Sequence, residues 1–375
     1  MKTHGLGNLS QFLGNRVVYR NLISQDRNLP GFSDLAREIG LDTHKLPRKA
    51  DPAYGQVIAL LLQKAQQIDQ PGKSLRSLVF IGDTRLNDGS AFANIANAGR
   101  WQAAAFIGSE KDQPAQITRD TGFDLALYNA NRWSLLSEFP QICRQHGINL
   151  DQTCAVVLDL DKTSLGARGR NDKAIDRART QAAEDVVRAI AGESFDVQMF
   201  SKTYQRFNQV EFHPFTTDNQ DYLVYITLLA VTGVINVEEL ASEVQTGSLR
   251  AFGAFANKIQ PRLPQLPVSV QNVQAEFYNS LQKGDPTPFK AFRRQEYRNT
   301  VTAMQVPLEI NEAMLTSTIC ITQEVREFAL LCKQNGCLMF GLSDKPDEAS
   351  LPPLDLAQEG WLPLHQAAML AVSVP

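Results

Sequence analysis

The chain has 375 residues and a formal net charge of −3 at pH 7. This length predicts two or three domains with a sizeable core, and the slight acidity excludes an overall basic field that would attract nucleic acid or acidic lipid. No apolar run is long enough to cross a bilayer. The charge and the apolar runs together therefore make neither a nucleic acid nor a membrane an expected partner.

The amino-terminal segment and the cysteines indicate a compartment. Residues 1–7 lack the apolar core of a signal peptide. The five cysteines are an odd number and form no C-x-x-C pair, which disfavours disulfides and a zinc site. We therefore expect a reduced, cytoplasmic protein, and the sequence leaves its oligomeric state open.

The first 70 residues predict a short strand and two helices. Residues 16–19 are typical of a short strand, and residues 33–39 of a short helix. Asp51 and Pro52 suit the start of a longer helix that reaches about residue 68. Lys49 lies just before that start, and taken alone it would be interpreted as a solvated lysine.

An apolar strand followed by acids comes next. Residues 77–81 predict a buried strand, which runs into Gly82-Asp-Thr-Arg-Leu-Asn-Asp-Gly89. Gly82 allows a tight turn there, and a helix is expected over 90–98. Because ligands of open α/β sheets bind at the carboxyl ends of strands, Asp83 and Asp88 are candidate functional residues.

The second acidic strand is the strongest signal in the chain. Strands are expected at 101–107 and 125–128, and a helix over 131–146. The run Ala155-Val-Val-Leu-Asp-Leu-Asp-Lys-Thr163 then predicts a buried parallel strand that ends in acid. If the extended conformation continues to Asp161, the carboxylates of Asp159 and Asp161 share one face of the sheet. Two buried anions repel each other, so a bound cation is the simplest way to keep both ionised.

The following loop and helices are less specific. Arg168 and Arg170 lie in a glycine-rich loop and could contact an anionic ligand or form a solvated turn. Residues 195–318 are predicted to be mostly helical, and the cluster of Arg293, Arg294 and Arg298 is typical of a solvated helix face, with a phosphate contact as the alternative. Further helices are expected at 173–191, 237–245 after an Asn236 cap, 270–283 and 288–299, with a proline-rich connection at 260–267.

The last part of the chain returns to strand-and-helix alternation. A helix over 322–334 with Thr322 as its N-cap precedes a buried strand at 337–340. Ser343 follows that strand, and the absence of a G-x-S-x-G pattern rules out a hydrolase nucleophile elbow. A short helix is expected near 364–372.

Together these strand ends resemble the haloacid dehalogenase superfamily, whose members are mostly phosphatases. Its first motif is matched by Asp159, Asp161 and Thr163, with Asp159 as nucleophile and Asp161 as general acid/base. Its second motif is resembled by Ser343, a hydroxyl that binds the transferring phosphoryl group. Its third motif is resembled by Lys49, although Lys45 or Lys73 could take that place. Its fourth motif, whose acids hold Mg²⁺ in the family, is matched by Asp83 and Asp88. The resemblance implies one Mg²⁺ bound by Asp159, the carbonyl of Asp161, and Asp83 or Asp88.

The order of these motifs departs from the family. Here the third and fourth motifs come before the first, and the second comes last, which resembles a circular permutation. The resemblance implies an α/β fold with a Rossmann-like parallel sheet flanked by helices, built from residues 1–169 and 319–375, and a mainly helical cap at 170–318. The strand at 77–81 should lie beside that at 155–158, with 337–340 on its other side, and the Asp83 and Asp159 carboxylates should be about 4–7 Å apart.

The implied function is a Mg²⁺-dependent hydrolysis of a small phosphorylated metabolite through an aspartyl-phosphate. Two alternatives remain open at this point. The same intermediate could pass its phosphoryl group to an acceptor other than water, as in a phosphotransferase or mutase. The fold could also be a non-catalytic one that binds a ligand or partner through residues 195–318.

Overall fold

A computed structural model describes residues 1–374. The strands are β1 (Lys2–Gly7), β2 (Val17–Val18), β3 (Ser77–Gly82), β4 (Gln102–Gly108), β5 (Ile117–Arg119), β6 (Ala126–Ala130), β7 (Cys154–Asp159), β8 (Ile321–Thr322), β9 (Leu338–Leu342) and β10 (Met369–Ser373). The α-helices are α1 (Ser10–Leu13), α2 (Phe32–Glu38), α3 (Pro52–Asp69), α4 (Asn87–Gly99), α5 (Phe139–Gln145), α6 (Lys173–Ala191), α7 (Val197–Phe207), α8 (His213–Thr216), α9 (Gln220–Val231), α10 (Val237–Gln245), α11 (Phe252–Ile259), α12 (Val268–Gln282), α13 (Lys290–Met304), α14 (Glu312–Ser317), α15 (Gln323–Gln334) and α16 (Leu354–Gln358). Short 3₁₀ helices cover Trp133–Glu138, Gly192–Ser194, Val210–Phe212, Gln260–Gln265 and Asp347–Ala349.

The main sheet has seven strands in the order β2-β9-β7-β3-β4-β6-β5. All neighbours are parallel except β5, which runs antiparallel to β6. Every residue of β3 and of β7 is buried, as expected for parallel strands covered on both faces. The fold is therefore α/β and Rossmann-like, as the sequence predicted.

The neighbours of strand β7 are those expected from sequence. Strand β3 pairs with β7, with Leu78 opposite Ala155. Strand β9 pairs with the other side of β7, with Leu338 also opposite Ala155. Because all three strands are parallel, their carboxyl ends meet at one edge of the sheet.

Helices α3 and α4 help to build the core of this sheet. Both contribute buried residues to one cluster that also contains Phe80, Val157 and Phe340. Helix α3 begins at Pro52 as predicted, although the Asp51 side chain accepts no hydrogen bond from the helix. The Asp51 carboxylate accepts a hydrogen bond from the Arg48 amide instead, at 2.7 Å.

A second, three-stranded sheet has the order β1-β10-β8; it corrects one prediction and adds a strand that was not predicted. Residues 369–373 form strand β10, so the helix expected near 364–372 is wrong. Residues 2–7 form strand β1, which no sequence signal indicated. Residues 369–372 are all buried, and a short, continuous apolar run does not distinguish a strand from a buried helix.

Two other segments differ from expectation in the form of their helices. The helix expected over 131–146 is a 3₁₀ helix followed by α5, and Pro140 lies in the first turn of α5, where its missing N–H costs nothing. Residues 260–267, expected to be a connection, contain a 3₁₀ helix over Gln260–Gln265.

The chain divides into two compact units. The first comprises residues 1–176, 300–351 and those from 356 onward, and holds both sheets. The second comprises residues 177–299 and 352–355 and is helical, with its own apolar core. Within it, Asn236 caps α10 as predicted, because its side chain accepts bonds from the amides of Glu238 and Glu239.

Arg293, the first residue of the predicted basic cluster in α13, is buried and not solvated. Arg293 is only 5% exposed. Its guanidinium donates to Asp221 at 2.7 Å and to Glu296 at 2.7 Å, and both carboxylates are fully buried. Arg293 is therefore part of an internal ion-pair network of the helical unit, whereas Arg294 and Arg298 are exposed as expected.

Within residues 1–374, none of the helices combines the length and the apolar character that crossing a bilayer requires.

Candidate active site

Asp159 is the last residue of β7 and is only 4% exposed. The chain turns immediately after it. The Ser164 hydroxyl donates to the Asp159 carbonyl at 2.7 Å, the Leu165 amide donates to the Leu160 carbonyl at 2.8 Å, and Lys162 adopts a φ of +64°. The strand therefore does not continue to Asp161, which lies half-buried in the turn.

Strand β3 delivers the second group of acids to the same edge. Asp83 follows the strand directly, and Asp88 lies in the first turn of α4. One Asp88 carboxylate oxygen accepts bonds from the amides of Asp83 and Thr84 at 3.1 and 2.9 Å and from the Thr84 hydroxyl at 2.8 Å. These bonds fix the loop and orient the Asp88 carboxylate.

A glycine is needed at position 82 because there is no room for a side chain. The tight-turn conformation that was predicted for Gly82 is not the reason. Its backbone is outside the positive-φ region. A Cβ at this position would lie 2.6 Å from the Asp88 Cβ. The close approach of the strand end to Asp88 therefore excludes any side chain at residue 82.

Three carboxylates converge at this edge. Asp83, Asp88 and Asp159 each offer one oxygen within 4.8 Å of the others, and all three residues are buried. This agrees with the separation predicted for Asp83 and Asp159. The carboxylate of Asp161 is not part of the cluster.

Lys49 joins this cluster, as one of the sequence alternatives expected. Its ammonium donates to Asp159 at 2.7 Å and to Asp88 at 2.8 Å, and the side chain is 5% exposed. The other two candidates are elsewhere, because Lys45 is exposed and Lys73 binds the Gln152 side chain at the surface. The interpretation of Lys49 as a solvated residue is wrong.

The acids have unequal proton affinities. Burial and the nearby Asp88 charge raise the pKa of Asp159 well above its usual value. Burial and the Asp88 charge also raise the pKa of Asp83, to about 7, against the lowering effect of Arg168. Burial acts to raise the pKa of Asp88 as well, yet the charge and hydrogen bond of Lys49, with the Thr84 contacts, hold it at about 2. Asp88 is therefore the permanently ionised member.

The cluster is short of positive charge, and its donor set fits a divalent cation. Carboxylate oxygens are the ligands that Mg²⁺ takes in proteins. Burial acts to lower the pKa of Lys49, but Asp159, Asp88 and Asp344 raise it well above its usual value, so the lysine is fully charged. The Lys49 ammonium and the Arg168 guanidinium, which binds Asp83, cannot together neutralise three ionised carboxylates, and Asp83, Asp88 and Asp159 are suited to hold a further cation.

Ser343 lies beside the cluster at the end of β9. The preceding residue, Leu342, is the register partner of Asp159. The Ser343 amide donates to the Val18 carbonyl at 3.0 Å, and its hydroxyl accepts from the Lys345 amide at 3.0 Å. Strand β9 therefore holds a buried hydroxyl at the same edge as Asp159.

The sequence interpretation missed three residues near Ser343. The Asp344 carboxylate lies 3.6 Å from the Lys49 ammonium and 3.9 Å from the Arg20 guanidinium. Lys345 is only 4% exposed. Asp344 and Lys345 come directly after Ser343, which follows the end of β9, and that position was a usable signal. Arg20 lies in the same way just after the end of β2.

Thr163 is close in sequence but is held away from solvent. It is fully buried, and its hydroxyl has no hydrogen-bond partner among residues 1–374. Its carbonyl accepts from the Thr322 hydroxyl at 2.5 Å. The structure thus gives Thr163 a clear backbone contact with the start of α15.

The two loop arginines have different roles. Arg168 binds the carboxylate of Asp83 and is about one-third exposed. Arg170 is 3% exposed and donates to Glu110 at 2.9 Å and to Glu324 at 2.8 Å. Arg170 is therefore an internal ion-pair residue and not part of a solvated turn, whereas Arg168 contacts the cluster.

Comparisons with known proteins yield no match to this chain, whether with family models, curated proteins or solved structures. The functional interpretation therefore depends on the residues and their geometry.

Proposed function

We propose that this protein is a Mg²⁺-dependent phosphatase of the haloacid dehalogenase type, acting on a small phosphomonoester through an aspartyl-phosphate. One observation carries the proposal. Lys49, Asp83, Asp88 and Asp159 come from three separated stretches of sequence and meet in one buried cluster at the carboxyl edge of a parallel sheet.

The permuted motif order is compatible with such a site. Catalytic geometry depends on where strand ends lie in space and not on their order along the chain. In this fold β3 and β9 flank β7, so a lysine and two acids that precede the nucleophile in sequence still reach it.

Asp159 is the proposed nucleophile. One of its carboxylate oxygens attacks phosphorus, the bond to the ester oxygen breaks, and Asp161 gives a proton to that oxygen. Asp161 then removes a proton from a water molecule, which attacks the phosphoryl group and releases Asp159. A positioned acid/base of this kind contributes about 10²–10⁴ in rate, and Asp161 lies half-buried in the turn that follows β7.

Lys49 and Ser343 are the proposed binding groups for the phosphoryl oxygens. Lys49 already donates to Asp159 at 2.7 Å, so a charge that develops on a phosphoryl group attached there would be within its reach. Mg²⁺ held by Asp83, Asp88 and Asp159 would supply neutralisation of the phosphate charge and alignment of the phosphorus with the nucleophile.

The helical unit is the proposed cap. Residues 177–299 have a core of their own, as a segment that selects substrates independently of the catalytic core would need. The substrate is a small phosphorylated metabolite, and the residues that choose it are assigned to this unit.

The test is hydrolysis of p-nitrophenyl phosphate with Mg²⁺, repeated after EDTA treatment and with Asp159→Asn. We expect turnover that needs the metal and is lost in Asp159→Asn, together with loss of the beryllofluoride adduct. Asp112→Asn is the matched control, because Asp112 is exposed. Full activity in EDTA or in Asp159→Asn would contradict the proposal.

The same assay separates the alternatives. Turnover that appears only when an acceptor alcohol is added would indicate a phosphotransferase or mutase. Absence of phosphoryl transfer to water and to every acceptor would indicate a non-catalytic binding protein.

A further inference from the structure

Arg168 is held by a rigid loop whose backbone is fixed at three points. Its carbonyl accepts bonds from the Glu110 amide at 2.8 Å and from the Trp133 indole at 3.2 Å. Its amide donates to the Lys162 carbonyl at 2.8 Å. These contacts fix the position from which the side chain extends.

The next residue, Gly169, shows how closely this loop packs against the backbone of Glu110. Gly169 has a φ of +80°, and a Cβ there would lie 2.1 Å from the Glu110 carbonyl oxygen. No other residue type fits that space without moving the backbone. The loop is therefore built to bring the side chain of Arg168 to one place.

That place is the carboxylate of Asp83. The guanidinium binds one Asp83 oxygen, and the two side chains differ in exposure, with Arg168 36% and Asp83 5% exposed. Asp83 is also one of the three carboxylates suited to hold a cation. The Arg168 guanidinium thus pairs with a carboxylate that could bind a cation, while part of the Arg168 side chain remains exposed to solvent.

Charge balance makes this arrangement sensitive to a metal. With all groups ionised, the carboxylates of Asp83, Asp88, Asp159 and Asp344 against the cationic groups of Lys49, Arg168 and Arg20 leave one net negative charge. A bound divalent cation would change this to one net positive charge. The cation would repel the guanidinium of Arg168 from Asp83, and the positive site would attract an anion.

We propose that Arg168 exchanges partners, pairing with Asp83 until a divalent cation binds and then binding the phosphoryl group of the substrate. This inference rests on the proposed function and adds to it a coupling between metal and substrate. The guanidinium fork matches two phosphate oxygens, and the exchange makes metal and phosphate binding mutually favourable.

The test compares wild type with Arg168→Gln in two binding measurements. Mn²⁺ binding without phosphate is followed by the electron paramagnetic resonance of free Mn²⁺, and inorganic phosphate binding at saturating Mg²⁺ is followed by calorimetry. We expect Arg168→Gln to bind Mn²⁺ at least about 5-fold more tightly and phosphate at least about 10-fold more weakly, within the usual range of coupling between sites.

Two further variants sharpen the result. Arg85→Gln is the matched control, because Arg85 lies two residues after Asp83 but pairs with Asp120 and not with the acid cluster. It should change neither affinity by more than about 2-fold. Arg168→Lys keeps the charge and should keep the wild-type Mn²⁺ affinity while recovering part of the phosphate affinity.

The outcomes separate this inference from the function on which it rests. If wild type binds both ions but Arg168→Gln binds Mn²⁺ no more tightly, or binds phosphate as wild type does, the exchange is wrong and the phosphatase proposal stands. If wild type binds neither ion, the phosphatase proposal itself fails.

Discussion

Replacing Lys49 with methionine should destabilise the metal-free protein far more than any surface lysine change. The substitution keeps the length of the side chain and removes the ammonium that donates to Asp88 and Asp159. Three carboxylates with oxygens within 4.8 Å of one another then remain buried without it. At an effective dielectric constant of about 20, two unit charges at that distance repel by about 3.5 kcal/mol.

This repulsion agrees with the cost of about 3–5 kcal/mol that follows when one partner of a buried ion pair is removed. We expect Lys49→Met to lower the free energy of unfolding by that amount, measured by urea denaturation in EDTA. Lys64→Met is the matched control in helix α3, because Lys64 pairs with Glu38 at the surface, where its side chain is 33% exposed. Such a pair is worth about 0–1 kcal/mol.

Two additional measurements identify the cause. Adding Asp88→Asn to Lys49→Met should restore part of the lost stability, because it removes one of the repelling charges. Mg²⁺ should stabilise Lys49→Met more than it stabilises wild type, since the metal replaces the missing positive charge. If Lys49→Met in EDTA is as stable as Lys64→Met, Lys49 does not hold the acids together.

Two further predictions concern buried positions of the chain. Gly55→Ala should lower the free energy of unfolding by about 1–3 kcal/mol and weaken metal binding, because the added Cβ would lie 2.3 Å from the Asn94 backbone in the helix that carries Asp88. Gly253→Ala is the control; its added Cβ meets open space, so it should not lower the free energy of unfolding. Burial lowers the pKa of His365 to about 4, so the unfolded chain takes up a proton first on acidification. His365 should therefore remove about 2.5 kcal/mol of stability between pH 7 and pH 4.5, and urea denaturation of His365→Gln should show a correspondingly smaller loss.

The parts of the fold that the sequence predicted are those with local signals. Residues 155–159 and 77–83 each combine a continuous apolar run with acids, and buried parallel strands have that pattern. The meeting of these acids was predictable because the carboxyl ends of neighbouring parallel strands lie at the same edge of a sheet. The choice among Lys45, Lys49 and Lys73 had no local signal, because it depends on where the segment before α3 lies.

The wrong predictions concern residues whose partners are far along the chain. Arg293 is buried because Asp221 lies opposite it, and Arg170 because Glu110 and Glu324 do. A single sequence gives no indication of such pairs. Strand β10 was missed for another reason, since its four apolar residues, 369–372, fit a helix and a strand equally well.

The small sheet bears on the circular permutation that the family resemblance implies. Strands β10 and β1 are antiparallel neighbours, with Ser373 opposite Lys2 and Met369 opposite Gly7, so they run like the two arms of a hairpin. A short turn between these arms would place the Ser343 strand before Lys49 in sequence, which restores the order of motifs implied by the family resemblance.

This gives a direct test of the permuted order. In the test chain, residues 374 and 2 are joined by an Asn-Gly turn, and the chain is opened between Asn149 and Leu150 in the loop before β7. We expect this chain to fold and to retain the proposed phosphatase activity within about tenfold, because exposed loops tolerate such openings. The matched control keeps the turn and opens the chain inside α3, whose buried residues support the sheet, and should not fold. A joined chain that folds with intact metal binding but loses all turnover would show that the present order of segments is required for catalysis.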